Sequence, residues 1–267
     1  MGYAGALCHL PLLRNPDKSK LSKRKNPTSV LYYQRMGYLP EALLNYLGRM
    51  GWSMPDEREK FSLNEMESVF DITRVSLGGP IFDVEKLKWL NGLWMRESLS
   101  DEELAQRLHD WALNQTTLMK IVPHAKGRME VLSDFVPMSA YLVAGDLPIG
   151  GTEFEALPEP LEETVRRLQF VLWRLEAQRD WDRGALFQCL KGLATALELK
   201  PKALFAPLFL AIAGSSAAYS MPDSMAILGP DMTRARLRRA IDALGGVSKK
   251  AAKRLEKEYA SLALGAG

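Results

Sequence analysis

Helix-start punctuation recurs along this chain and constrains it to a mainly helical fold. Ser62 and Glu65 stand at capping-box spacing: the serine oxygen takes the N3 amide and the glutamate reaches back to the serine amide. Phe61 and Met66 flank that pair as a hydrophobic staple. Ser100 and Glu103 repeat the device between Leu99 and Leu104, opening an amphipathic segment through about Trp111. Pro40 sits where a first helical turn tolerates proline, ahead of Ala42, Leu43, Tyr46 and Leu47, and Gly51 follows as a stop. After Pro160, the spacing of Val165, Leu168, Leu172 and Leu175 predicts a long helix, with Arg166, Arg167, Arg174 and Glu176 mostly off its apolar face. Further helices are expected over 186–197, 233–244 and 248–262, the last two separated by Gly245-Gly246. No set of alternating apolar and polar runs exists to build a sheet, and only 7–13 reads as a short extended piece. Gly78-Gly79-Pro80 and the stretch 145–160 read as linkers, with a domain boundary near the second and a softer one near Ser98.

Composition then narrows the partners. Of 267 residues 47% are hydrophobic, which excludes a wholly disordered chain. Lysine and arginine total 35 against 32 acidic residues, so a polyanion must be met by local patches rather than by bulk charge. Cys8 and Cys189 form no disulfide framework, and no cysteine or histidine cluster has zinc spacing, so no metal site is expected. The longest apolar run, 203–214, is broken by Pro207 and falls short of the roughly 20 residues that span a bilayer. The first thirteen residues lack a basic n-region. The expectation is a cytoplasmic monomer without a membrane helix.

Basic charge concentrates first between Arg14 and Lys25. Arg14, Lys18, Lys20, Lys23, Arg24 and Lys25 are opposed there only by Asp17 and are accompanied by Ser19 and Ser22. Such a turn suits a phosphate chain, although spacing alone makes a solvated basic loop the commoner outcome. A second basic surface comprises Arg234, Arg236, Arg238 and Arg239, followed by Lys249, Lys250, Lys253 and Arg254. Leu237, Ala240, Ile241 and Leu244 make the apolar face of the first of these helices, which is expected to leave Arg236, Arg238 and Arg239 outward, toward phosphate or solvent. Trp89, Trp94, Trp111 and Trp173 offer stacking faces, but helical aromatics more often belong to a core.

Lys20-Leu21-Ser22-Lys23-Arg24 resembles the Lys-Met-Ser-Lys-Ser signature of class I aminoacyl-tRNA synthetases, in the variant of bacterial glutamyl-tRNA synthetases. Gly37-Tyr38-Leu39-Pro40-Glu41-Ala42-Leu43-Leu44-Asn45-Tyr46-Leu47, Gly51-Trp52-Ser53, Phe82-Asp83, Lys86-Leu87 and Trp89-Leu90-Asn91 resemble the stem-contact region of that family in order and spacing. Arg128 to Phe135, Pro207-Leu208, Ala213-Gly214 and Ile227-Leu228-Gly229 extend the similarity into its helical anticodon-binding region. The resemblance implies a catalytic-domain remnant over 1–25, a stem-contact helical domain over 26–98, and anticodon-binding helical subdomains over 99–157 and 158–267. The family's His-Ile-Gly-His motif has no counterpart, because His9, His109 and His124 are isolated. His9 is expected to be buried or to lie at a border of the broken catalytic domain. The chain thus resembles a C-terminal portion without the nucleotide-binding Rossmann half.

The resemblance also implies roles. Lys23 inherits stabilisation of pyrophosphate while ATP, with Mg2+, and glutamate form glutamyl-adenylate; Lys20 and Ser22 support it, and Arg24 agrees with the glutamyl variant and joins the ATP-binding set. The tRNA-binding set comprises Arg128, Phe209, Arg236, Arg238 and Arg239, with tRNA(Glu) as partner. Many members carry an arginine after the Pro-Leu pair and a threonine before the following glycine, where this chain has Phe209 and Ala213. Phenylalanine offers only a stacking face, so looser reading of the first anticodon base is expected. Arg128 aligns with an arginine that reads the third anticodon base in discriminating members; the competing reading is a surface arginine paired with Glu130 or Asp134. The function implied is the tRNA-binding portion of a glutamate–tRNA ligase, against a freestanding tRNA tether or a helical scaffold. No ATP is expected to be held by this chain alone, and it should show no glutamate-dependent ATP/pyrophosphate exchange, because ATP and glutamate need the Rossmann half to be brought together. Exchange measured with the purified chain above the background of a Lys23→Ala preparation would overturn that expectation.

Overall fold

A computed structural model of the chain describes residues 9–21 and 28–262. It forms two compact units, 1–111 and 112–267. Both are helical, and among the described residues extended pairing is limited to isolated bridges from Arg14 to Lys20 and to Ile81. The extended piece expected over 7–13 is therefore not a strand in its described part, 9–13, although the Leu13 carbonyl accepts from the Leu21 amide at 3.0 Å. No helix among the described residues is long and apolar enough to cross a membrane.

In the first unit the helices are α1 (Val30–Arg35), α2 (Pro40–Gly48), α3 (Leu63–Val69), α4 (Val84–Ser98) and α5 (Asp101–Leu108). Both expected capping boxes form, Ser62 with Glu65 opening α3 and Ser100 with Glu103 opening α5. Pro40 occupies the first turn of α2, and the Leu39 amide just before it donates to Asn91 Oδ1 of α4 at 2.8 Å. That side chain ties the start of α2 to α4, while Ala42, Tyr46, Leu87 and Leu90 bury the surface between them. Asn45, 2% exposed, organises the next layer: its Oδ1 accepts from Trp94 Nε1 at 3.0 Å and from the Phe61 amide, and its Nδ2 donates to the Glu59 carbonyl. Phe61 then packs with Trp52 and Met54 against Met66 and Val75, so the expected staple is part of a satellite core. Gly37, at φ +81, lets the backbone come so close to Trp111 that an added Cβ would lie 3.3 Å from the indole.

The second unit contains α6 (Gln115–Ala125), α7 (Phe135–Val143), α8 (Thr152–Glu155), α9 (Leu161–Ala177), α10 (Arg183–Ala196), α11 (Pro201–Ala213), α12 (Met221–Leu228), α13 (Pro230–Ala243) and α14 (Lys249–Ser261). The apolar stripe of α9 is buried as expected, but Arg167 is buried with it, held by Glu159 and Glu163 at 2.9 Å each. The glycine- and proline-bearing stretch 145–160 lies inside this unit and carries α8, whose Phe154 is 2% exposed. Gly229, at φ +80, alone separates α12 from α13, a conformation that an L side chain resists.

Helix α13 corrects the outward orientation expected for its arginines. Arg236 is 0% exposed. Its guanidinium donates to the carbonyls of Ile212 at 2.6 Å, Tyr141 at 2.8 Å, Ala144 at 2.5 Å and Gly145 at 3.0 Å, at the C-terminal ends of α11 and α7. Arg234 donates to Leu175 O at 2.6 Å and to Gln178 O, at the end of α9. Arg238 pairs with Glu176 at 2.6 Å, and Arg239 with Asp146. Helix ends expose unpaired carbonyls and partial negative charge, so a buried guanidinium there gains both hydrogen bonds and a favourable dipole. A helical-wheel argument sees only that Arg236 falls beside the Leu237 stripe, not that the carbonyls of two helix ends wait for it. Arg236→Leu and Arg236→Lys should each destabilise the second unit by at least about 3 kcal/mol in urea unfolding, since neither side chain satisfies a fan of buried carbonyls. A loss below about 1 kcal/mol in both would show that water replaces the guanidinium.

Candidate nucleic-acid interface

The basic turn of the first unit is built on Asn15, which is 3% exposed among exposed neighbours. Its amide donates to Ser19 O, and its Nδ2 donates to Ser19 Oγ at 2.9 Å and to Lys20 O at 3.1 Å. Lys18 turns the chain at φ +62, and Asp17 Oδ1 accepts from the Ser19 amide. Arg14 anchors the turn through its backbone: its amide donates to Pro80 O at 2.9 Å and its carbonyl accepts from Phe82 N at 2.8 Å. Phe82 is in turn buried against Tyr33 and Tyr46, and Tyr46 Oη bonds both the amide and the carbonyl of Asp83. Lys20 is exposed at the end of this fixed turn. Ser22, Lys23 and Arg24 lie outside the described residues. His9, expected at a buried or border position, is exposed.

Asp83, whose Oδ1 takes the amides of both Glu85 and Lys86, starts α4 directly after this anchor. On α4, Lys86 lies 4.0 Å above the ring of Trp89 and pairs with Glu59 at 2.5 Å. The Lys86 hydrogen bond, with Arg49 beside it, holds the Glu59 carboxyl below the usual carboxylate range. Trp89 is 44% exposed, whereas Trp94 bonds Asn45, Trp111 donates to the carbonyls of Gln34 and Arg35, and Trp173 stacks on Phe170 and meets Tyr259 edge-on. Of the four tryptophans, Trp89 has the most open face.

In the second unit, Arg128 sits on a single 3-10 turn, Lys126–Arg128, after α6, and is exposed. It pairs with neither Glu130 nor Asp134; Asp134 instead takes the amides of Glu130 and Val131, which hold its carboxyl low. The Arg128 guanidinium lies 5.2 Å from the Tyr219 ring centre and donates to Ala217 O at 2.9 Å and Ala218 O at 3.2 Å. His124 faces the same ring at 6.1 Å and lies 3.9 Å from Asp223, which also holds Arg183 at 3.1 Å and the Ser220 hydroxyl. Sequence reasoning singled out Arg128 but not Tyr219, His124, Asp223 or Arg183. They come from three stretches, 124–128, 183 and 219–223, that lie tens of residues apart, so no local pattern announces the cluster. Phe209 is half-buried on α11 and Ala213 is 8% exposed at its end. The α13 arginines are placed as described above, whereas Lys249, Lys250, Lys253 and Lys257 of α14 are exposed. Among the described residues no group of three or more histidine, cysteine or acidic side chains is arranged to hold a metal ion.

Two family models match the sequence. Residues 3–89 match the catalytic domain of the class I tRNA synthetases (E and Q), and residues 103–241 match the anticodon binding domain. A glutamate–tRNA ligase of Cellvibrio japonicus is 63% identical over 97% of this chain and 51% of its own length. One of Saccharophagus degradans is 60% identical over 96% of this chain and 51% of its own. A crystal structure of a glutamate tRNA ligase from Elizabethkingia meningosepticum in complex with its amino acid is 26% identical over 88% of this chain and 51% of that one, with a TM-score of 0.46. The chain thus spans about half the length of the curated relatives it matches. On the match over 103–241, the chain belongs to the anticodon binding domain family, in the form that accompanies a class I catalytic segment in glutamate–tRNA ligases.

Proposed function

We propose that this chain is the tRNA-binding portion of a glutamate–tRNA ligase, which as a whole enzyme activates glutamate with ATP and Mg2+ and transfers it to tRNA(Glu) in the cytoplasm as a monomer. The observation that carries the proposal is the exposed, oriented Arg128 guanidinium inside the segment that matches the anticodon binding domain. An arginine uses its planar fork to donate to base edges or phosphates, and this one lies over a ring with two of its nitrogens engaged by backbone carbonyls. In this reading 26–98 meets the stem of the L-shaped tRNA, and 99–157 and 158–267 meet the anticodon end. Lys20, Ser22, Lys23 and Arg24 form the loop that meets the phosphates of ATP, with Lys23 acting on the departing pyrophosphate. The catalytic-segment match around that loop favours this reading over a freestanding tether or scaffold, which has no use for a pyrophosphate-binding lysine.

Phosphate contacts from the C-terminal helices then fall to Arg239, whose side chain keeps 38% exposure, and to the α14 lysines. Arg238 has little free surface and Arg236 none, so both serve this surface by holding α13 in place. Phe209 offers a stacking face at the first anticodon base.

Binding of the purified chain to tRNA(Glu) should weaken linearly in log Kd against log salt, with a slope of about 0.7 to 0.9 per phosphate contacted, because lysine and arginine release condensed counterions. Salt-independent binding, measured by fluorescence anisotropy between low and physiological ionic strength, would rule out a phosphate-backbone interface. Arg128→Gln should narrow the preference for tRNA(Glu) over tRNA(Gln) by roughly 1 to 3 kcal/mol, the usual worth of one base contact. An equal loss for both tRNAs would make Arg128 a phosphate contact instead.

A further inference from the structure

The geometry points to Tyr219 as a specificity-determining residue that positions Arg128 for base reading; this rests on the anticodon reading of Arg128 given above. Tyr219 is 3% exposed, so its ring is not itself a platform for RNA. What it presents to the surface is the guanidinium lying over it at 5.2 Å. The backbone just before it supplies the two carbonyls, Ala217 and Ala218, that accept from Arg128 at 2.9 and 3.2 Å. One short segment between α11 and α12 therefore supplies both the ring beneath the guanidinium and the two carbonyls that set its direction. An arginine on a solvent-exposed turn is otherwise free over several rotatable bonds, and a reader that loses rotamer entropy on binding discriminates less for each contact it makes.

The segment is itself locked from beneath. Tyr219 Oη and Ser139 Oγ of α7 are 2.8 Å apart, the Tyr219 amide donates to Tyr141 Oη at 3.2 Å, and Tyr141 Oη meets Ser224 Oγ of α12 at 2.6 Å. Ser139, Tyr141 and Ser224 are all buried, and burial pushes the Tyr141 hydroxyl above its usual range, which keeps it a neutral donor and acceptor. The carbonyls that hold Arg128 are thereby tied to two helices rather than left on a free loop.

The test compares Tyr219→Met, which keeps apolar bulk but removes the ring face, with Tyr219→Phe, which keeps the face and removes only the hydroxyl. The readout is the ratio of Kd values for tRNA(Glu) and for the same tRNA with its third anticodon base replaced, with urea midpoints recorded for each variant. Tyr219→Met should lower that ratio at least fivefold and add nothing further in an Arg128→Gln background, while Tyr219→Phe should keep the ratio within about twofold. If Arg128→Gln lowers the ratio and Tyr219→Met leaves it unchanged, the positioning role is wrong and the reading of Arg128 stands. If Arg128→Gln itself leaves the ratio unchanged, the reading of Arg128 is wrong and the inference falls with it. Should Tyr219→Met not fold, the unmodified chain decides the matter by NMR. The Arg128 Nε–H signal, identified by its loss in Arg128→Gln, should be displaced from the free-arginine position by the ring current, and an undisplaced signal overturns the role.

Discussion

Arg236 is the interaction on which the second unit depends. A cation with no access to solvent is costly unless every donor finds an oxygen. Here the oxygens belong to helix C-termini, which need donors for the complementary reason. Because α7 and α11 end at one side chain, and α9 ends at Arg234 two residues earlier on the same helix, α13 fixes the ends of three neighbours as well as packing its apolar stripe. The positions of those ends set the loops that follow them, including the segment after α11 that holds Arg128. A side chain with no surface of its own thus bears on how the surface is arranged.

The first unit solves a similar problem with amides and hydroxyls. Asn45 and Asn91 are buried carboxamides that satisfy backbone groups at helix starts and in the connection between α2 and α3. Tyr46 does the same at the start of α4, immediately after the backbone anchor of Arg14. The basic turn is consequently a continuation of a buried aromatic core through Phe82, not an appendage on it.

Local order was legible in the sequence because its causes are local. The Ser62–Glu65 and Ser100–Glu103 boxes need only four residues to be recognised, and both form. The long α9 helix is announced by its own spacing. What sequence reading missed lies where partners are remote. Arg236 bonds carbonyls 24 and 91 to 95 residues away, and Arg128 bonds carbonyls 89 and 90 residues away. Arg167 misleads for another reason: its partners Glu159 and Glu163 are near, but the burial of the trio is set by the packing of other helices. On the candidate site, Arg128 was reached through family resemblance, whereas Tyr219 belongs to an Ala-Ala-Tyr run that carries no motif. Lys20 is legible as a basic position in a turn, and the buried Asn15 that shapes the turn is recognisable only once Lys18, Ser19 and Lys20 are folded around it.

The separation between Arg236 and the end of α7 also has a meaning in time. Synthesis proceeds from the N-terminus at about 5–20 residues per second, so the residue that caps Tyr141, Ala144 and Gly145 is made some 5 to 20 s after them. Throughout that interval the carbonyls at the end of α7 must bond water, and the apolar faces of α9 and α11 wait for α13 to cover them. The nascent second unit thus keeps an unfinished apolar surface until nearly its whole length has left the ribosome, and a chain cut short before Arg236 would expose the same surface permanently.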